Sequence, residues 1–166
     1  MEPKLHLIIG KIASGKSTLA KELGGQCQTV VLSEDEWISG LWDDEIKTIA
    51  DYVRLSKKLR GLLKDHIVDL LKNDLSVVLD FQANTKESRV WMQELADLGG
   101  TESHFHFLDV PDEVCKERLR LRNERGDHEF AASDAQFDHI TSFFQPPQEE
   151  EGLNVIHYSW AKETFE

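Results

Sequence analysis

Basic residues are scarce in this sequence: 19 Lys and Arg stand against 31 Asp and Glu in 166 residues, a net charge of −12. Such a surface repels a long polyanion except at a local basic pocket, so a small ligand fits the balance better than a long nucleic acid. Cysteine is scarcer still. Cys27 and Cys115 lie far apart, form neither a disulfide framework nor a C-x-x-C metal pattern, and read as reduced, part-buried thiols. No apolar run approaches the roughly twenty residues of a spanning helix. The first residues also lack the basic stretch, apolar stretch and small-residue cleavage site of an export signal. A cytoplasmic protein with no membrane attachment is therefore expected. Internal repeats, low-complexity tracts and linkers are missing as well, and 40% of the residues are hydrophobic. That suits a single domain over residues 1–166 with one sizeable core.

What is present is alternation. Short runs rich in β-branched residues, "LHLIIG", "TVVLS", "SVVLDF", "SHFHFLDV" and "NVIHY", read as five strands. Between them, Lys16 to Leu23 reads as a helix. Ile46 to Leu71 carries apolar residues at helical spacing over a length that suits one long helix or two joined ones. A third helix is expected from Lys86 to Leu98, stopping at Gly99 and Gly100, and a fourth after Pro111 with Asp112 and Glu113 in its first turn. "QPPQEEEG" at 145–152 is a loop ahead of the last strand. Strands alternating with helices imply an α/β fold with a parallel sheet covered on both faces.

Gly10, Lys11, Ile12, Ala13, Ser14, Gly15, Lys16 and Ser17 spell GxxxxGKS directly after a strand and directly before a helix, the context this phosphate-binding loop requires. Its glycines let successive N–H groups converge on an anion, and the helix start adds partial positive charge. Lys16 reaches the outer phosphates, and the Ser17 hydroxyl can ligate Mg²⁺. Gly10, Ala13, Ser14, Gly15, Lys16, Ser17 and Thr18 form the expected nucleotide-binding set.

Ligands on open parallel sheets sit at the carboxyl ends of the strands, so the other strand ends matter next. After the second strand, "LSEDEW" places Ser33, Glu34, Asp35 and Glu36 at a helix start, where one carboxylate is expected to face the nucleotide. The third strand ends in "VVLDF", which makes Asp80 a candidate Mg²⁺ holder beside Ser17. In "VCKERLRLRN", Arg118 and Arg122 share one helical face while Arg120 points elsewhere. Two like charges at that spacing favour a phosphate-closing lid over residues 118–132. His104 and His106 share a face of the fourth strand without the further spacing of a zinc site. Trp37, Trp42 and Trp91 read equally as core or acceptor pocket, and Arg89 as surface pairing or acceptor binding.

Together, "GKIASGKST", "LSEDEW", "VVLDF", "RLRLRN" and "FFQPP" resemble the small P-loop kinases that include the zeta toxins, chloramphenicol phosphotransferase and the kinase domain of polynucleotide kinase. The likeness is strongest to a bacterial branch described only as ATP-binding or AAA-family proteins. It implies a three-layer α/β/α fold with a five-stranded parallel sheet in the order 2-3-1-4-5, and ATP with Mg²⁺ as phosphate donor. It further implies that Asp35 is the catalytic base and that Arg118 and Arg122 contact the transferred phosphate beside Lys16. Polynucleotide kinases and their relatives often carry an arginine shortly after that aspartate, where Glu36 and Trp37 stand here. The resulting expectation is an ATP-dependent kinase acting on the hydroxyl of a small-molecule acceptor. A polynucleotide or nucleotide kinase and a non-catalytic ATP-sensing module are the alternatives, and oligomeric state stays open.

Overall fold

The computed structural model describes residues 1–126 and 131–160. Five strands form one sheet: β1 (Lys4–Ile9), β2 (Thr29–Ser33), β3 (Ser76–Asp80), β4 (Glu102–Asp109) and β5 (Val155–Ser159). They are all parallel and lie in the order β2-β3-β1-β4-β5, as the family resemblance implies. Among the described residues six α-helices connect and cover them: α1 (Lys16–Gly24), α2 (Glu34–Trp42), α3 (Ile49–Lys72), α4 (Lys86–Gly99), α5 (Asp112–Arg125) and α6 (Asp134–Thr141). Among the described residues no helix is long and apolar enough to cross a membrane.

Local signals set the helix ends. α3 is one continuous helix, and it begins at Ile49 rather than Ile46 because Thr48 and Asp51 form a reciprocal capping box. α4 and α5 stop where Gly100 (φ 68°) and Gly126 (φ 65°) take the left-handed conformation that other residues resist. α6 has no counterpart in the sequence reading; a Ser133–Gln136 capping box starts it.

Alternate residues of the central strands are buried on opposite faces. Leu5, Leu7, Ile9, Val77, Leu79 and Phe105 pack against α3 and α4, whereas Ile8, Val78 and Leu108 pack beneath α1. Each such side chain contributes roughly 1.5–3 kcal/mol. A third cluster, Val110, Cys115, Leu119 and Phe137, seats α5 against α6. Cys115 is buried and Cys27 exposed, and neither is bonded to a second sulfur. Burial pushes the Cys115 thiol up to about 11, so it stays protonated.

The α1 face also holds polar groups. His6 of β1 and His106 of β4 share a 3.0 Å hydrogen bond, and the other ring nitrogen of His106 meets the Tyr158 hydroxyl at 2.9 Å. Burial, reinforced by His106, His104 and Lys4, holds His6 down at about 4; burial and His104 do the same to His106. Because the unfolded chain binds protons near pH 6.5 that the folded pair refuses, stability is present above 6.5 and is lost as pH falls toward 4. Between pH 7 and 5 the expected loss is about 1–2 kcal/mol per histidine. Thermal melts across that window check it: wild type should lose several degrees and a His6→Leu protein fewer, and parallel curves would show that the pair does not titrate as described.

Candidate active site

The carboxyl ends of β2, β3 and β1 meet at one edge of the sheet. Ser33 pairs with Asp80 in the β2–β3 register, so the first turn of α2 starts beside the end of β3. β3 in turn lies beside β1, whose end opens into the loop 10–15.

That loop has the backbone of an anion cradle. Ala13 (φ 62°) and Gly15 (φ 103°) both take positive φ, which turns successive N–H groups inward. A Cβ at Gly10 would crowd the Ser14 hydroxyl and lie 3.3 Å from Lys16 Cγ, so a larger residue there requires the Ser14 side chain to shift. α1 starts at Lys16 with no side-chain cap and no acidic residue in its first turn, leaving its positive end for a ligand. Ser14 Oγ is buried without a hydrogen-bond partner among the described residues. Lys16 Nζ rests on the Gly10 carbonyl at 3.1 Å. Ser17 Oγ donates to Asp80 Oδ2 at 3.0 Å, which places the expected hydroxyl and carboxylate together, while Thr18 is exposed on the same turn. Among the described residues no group of three or more His, Cys, Asp or Glu is arranged to hold a metal. A hydroxyl with one carboxylate, completed by phosphate oxygens and water, is the donor set that suits Mg²⁺.

On the other side of Asp80 stand two adjacent carboxylates with different surroundings. Burial alone would raise Glu34, but Arg60 grips it twice, through Nε at 2.7 Å and Nη2 at 3.1 Å, and Ser56 donates at 2.6 Å. The result holds Glu34 below the ordinary carboxylate range. Arg60 also donates to the Gln82 carbonyl at 2.8 Å and lies against the rings of Phe81 and Trp91. Asp35 moves the opposite way. Burial raises it, with the negative charges of Glu34 and Asp80 adding to the effect, against a 2.5 Å hydrogen bond from Tyr52 and the Lys16 ammonium. Glu34 is thus fixed as an anion, whereas Asp35 is poised to take a proton next to Lys16 and Asp80.

The lid arginines are placed less centrally. Arg118 reaches the Ala13 carbonyl at 3.5 Å and stacks on Trp160, its guanidinium 5.3 Å from the ring centre. Arg122 follows one turn further along α5, partly buried. Arg120 does point elsewhere, pairing with Asp134 of α6. Residues 127–130 of the expected lid lie outside the described residues. Arg89 is neither a surface nor an acceptor residue: it is fully buried, bound to Glu151 at 2.8 Å and to the Ala83 carbonyl at 2.9 Å. Of the tryptophans, Trp42 and Trp91 pack on the main core, while Trp37 is 39% exposed. With Glu36, Gly40 and Leu41, Trp37 lines a shallow hollow of about 350 Å³ on the α2 side. A hollow of about 410 Å³ at the opposite end of the sheet, around Lys4, Asp74 and Gly100, contains none of these groups.

Sequence reasoning missed Asn84. Its buried side chain bonds both the N–H and the carbonyl of Gly10, at 3.0 and 2.8 Å. No motif spacing marks a lone asparagine 74 positions from its partner.

A family model described as an AAA domain matches residues 5–147. No curated protein matches the sequence. Among solved structures, a candidate kinase of Chloroflexus aurantiacus superposes with a TM-score of 0.74 at 20% identity, over 95% of this chain and 85% of that one. Kti12 of Chaetomium thermophilum, solved with ADP-AlF3, gives 0.71 at 18%, over 94% and 89%. The Mycobacterium tuberculosis APS kinase CysC, solved with AMPPNP and APS, gives 0.55 at 20%, over 96% and 91%. At these identities the likeness is one of fold, the P-loop kinase-like sheet with its helices.

Proposed function

The chain belongs to this AAA domain family, and from that premise we propose that it is an ATP-dependent kinase moving the γ-phosphate of ATP to a hydroxyl of a small molecule. The observation that carries this reading is the pair of unlike carboxylates beside a complete phosphate loop. A carboxylate near the γ-phosphate position can take the proton of an attacking hydroxyl, as a kinase requires; hydrolysis would use the same group on water, and the acceptor assay below separates the two. The nucleotides bound in the structures of Kti12 and APS kinase support ATP as the donor.

In the proposed reaction the amides of Gly10 to Gly15 and the ammonium of Lys16 hold the β- and γ-phosphates, with Thr18 on the same turn. Ser17 and Asp80 would hold Mg²⁺, which supplies charge neutralisation between the phosphates when bound. Asp35 takes the proton of the acceptor hydroxyl as its oxygen bonds to the γ-phosphorus and ADP leaves. Arg118 and Arg122, in a lid spanning residues 118–132, neutralise charge on the moving phosphoryl group. Arg60 and Arg89 are already committed to Glu34 and Glu151, which favours an acceptor without a phosphate of its own. The net charge of −12 favours a small acceptor over a long nucleic acid.

The test is incubation with ATP and Mg²⁺ and pools of hydroxyl-bearing metabolites, antibiotics and 5′-hydroxyl oligonucleotides, read by mass beside a Lys16→Ala control. One small molecule should gain phosphate with wild type and none with the control. Phosphorylation of the oligonucleotides alone would turn the reading to a polynucleotide kinase. ATP binding with neither transfer nor hydrolysis would turn it to a nucleotide sensor.

A further inference from the structure

Building on the nucleotide-binding reading above, we propose that Asn84 is a positioning residue for the phosphate loop, acting through Gly10 to free Lys16 for the nucleotide. The side-chain amide of Asn84 faces the peptide of Gly10 as one strand faces another. Oδ1 accepts from Gly10 N–H at 3.0 Å, and Nδ2 donates to Gly10 C=O at 2.8 Å. Only one orientation of the amide satisfies both bonds, since turning it over would set donor against donor.

The amide is itself held rigidly. Asn84 is 7% exposed. Its backbone carbonyl accepts from Gln145 N–H at 2.8 Å, the Gln145 side chain accepts from Lys86 N–H at 2.8 Å, and Thr85 caps α4 directly after it. A group locked from behind in this way can set the position of what it touches.

What it touches matters because the Gly10 carbonyl has two donors. Lys16 Nζ, at 3.1 Å, is the other. The Lys16 ammonium has three N–H donors, and as it turns toward a β- or γ-phosphate its bond to the carbonyl weakens, which a buried carbonyl with no other donor would oppose. Asn84 removes the opposition by keeping one hydrogen bond on Gly10 whichever way Lys16 points.

The test is the affinity for MgADP, measured by calorimetry, in a four-protein cycle of wild type, Asn84→Ala, Lys16→Ala and the double variant. Asn84→Ala should bind MgADP about tenfold more weakly than wild type, and in the Lys16→Ala background the same change should cost less than about threefold. Asn84→Asp carries the comparison if the alanine variant does not fold. A carboxylate there opposes the Gly10 carbonyl and attracts Lys16, so its loss should exceed tenfold. Equal affinities of wild type and the Asn84 variants overturn the proposal. So does an equal loss in both backgrounds, which a purely structural role predicts. Failure of the wild-type protein itself to bind MgADP strikes at the nucleotide-binding reading beneath it.

Discussion

If the chain is the kinase proposed above, an Asp35→Asn protein is expected to transfer phosphate about 10³-fold more slowly than wild type while binding MgATP within a few-fold as tightly. The asparagine keeps the shape of the side chain and can still meet the Tyr52 hydroxyl, so α2 and its contacts stay in place. What is lost is the capacity to take a proton. Nucleotide affinity is expected to depend on the loop 10–17, where Asp35 influences Lys16 through charge, and the substitution removes one negative charge from that neighbourhood. Two measurements read the separation: the transfer rate on the acceptor found by the pooled assay, and ATP affinity by calorimetry. Equal rates for the two proteins would remove Asp35 from the base role, and a large loss of ATP affinity would move it to the nucleotide. The pH profile adds a sign. Asp35 must be ionised to accept the proton, and burial raises its pKa. The acid limb of the rate should therefore lie above the ordinary carboxylate range, with activity lost as pH falls through it.

The parts of this site that were legible in the sequence are those whose chemistry is local. Eight consecutive residues carry the phosphate loop, because each N–H must follow the last around one anion. Asp35 and Asp80 stand within two residues of strand ends, where topology alone brings them to one edge. The strand order came from resemblance rather than from spacing. The remainder depends on contacts between residues far apart in the chain. Glu34 and Arg60 are 26 residues apart, Arg89 and Glu151 62, and Gly10 and Asn84 74. Hydrophobic periodicity reports which face is buried, but not which polar group waits there. Arg89 illustrates the difficulty: on a helix drawn from sequence it reads equally as a surface pair or an acceptor contact, and its burial follows from Glu151 in the turn 149–151 pairing with it. α6 was hidden for a different reason. Its eight residues bury only Phe137, too little for a periodic signal, although the Ser133–Gln136 capping box was there to be read.

The Glu34–Arg60 pair should dominate the stability of the acceptor side. Glu34 is 1% exposed, and it accepts from Arg60, Ser56 and the backbone of Gln82. A Glu34→Gln protein keeps the volume but leaves the part-buried guanidinium of Arg60 without its counter-charge. The expected cost is about 3–5 kcal/mol, or roughly 10 °C in the melting temperature of a chain this long. Removing both charges should be milder than removing one. In a Glu34→Gln/Arg60→Met protein a methionine can lie against Phe81 and Trp91 in place of the guanidinium, and no bare ion remains. Thermal denaturation of the wild type, Arg60→Met, Glu34→Gln and double variants measures the coupling directly. A double variant as unstable as the sum of the singles would mean that the two charges act independently. A strong coupling would show why Glu34 cannot share the base role with its neighbour: its proton affinity is already spent on Arg60, which leaves Asp35 as the carboxylate able to change its charge during the reaction.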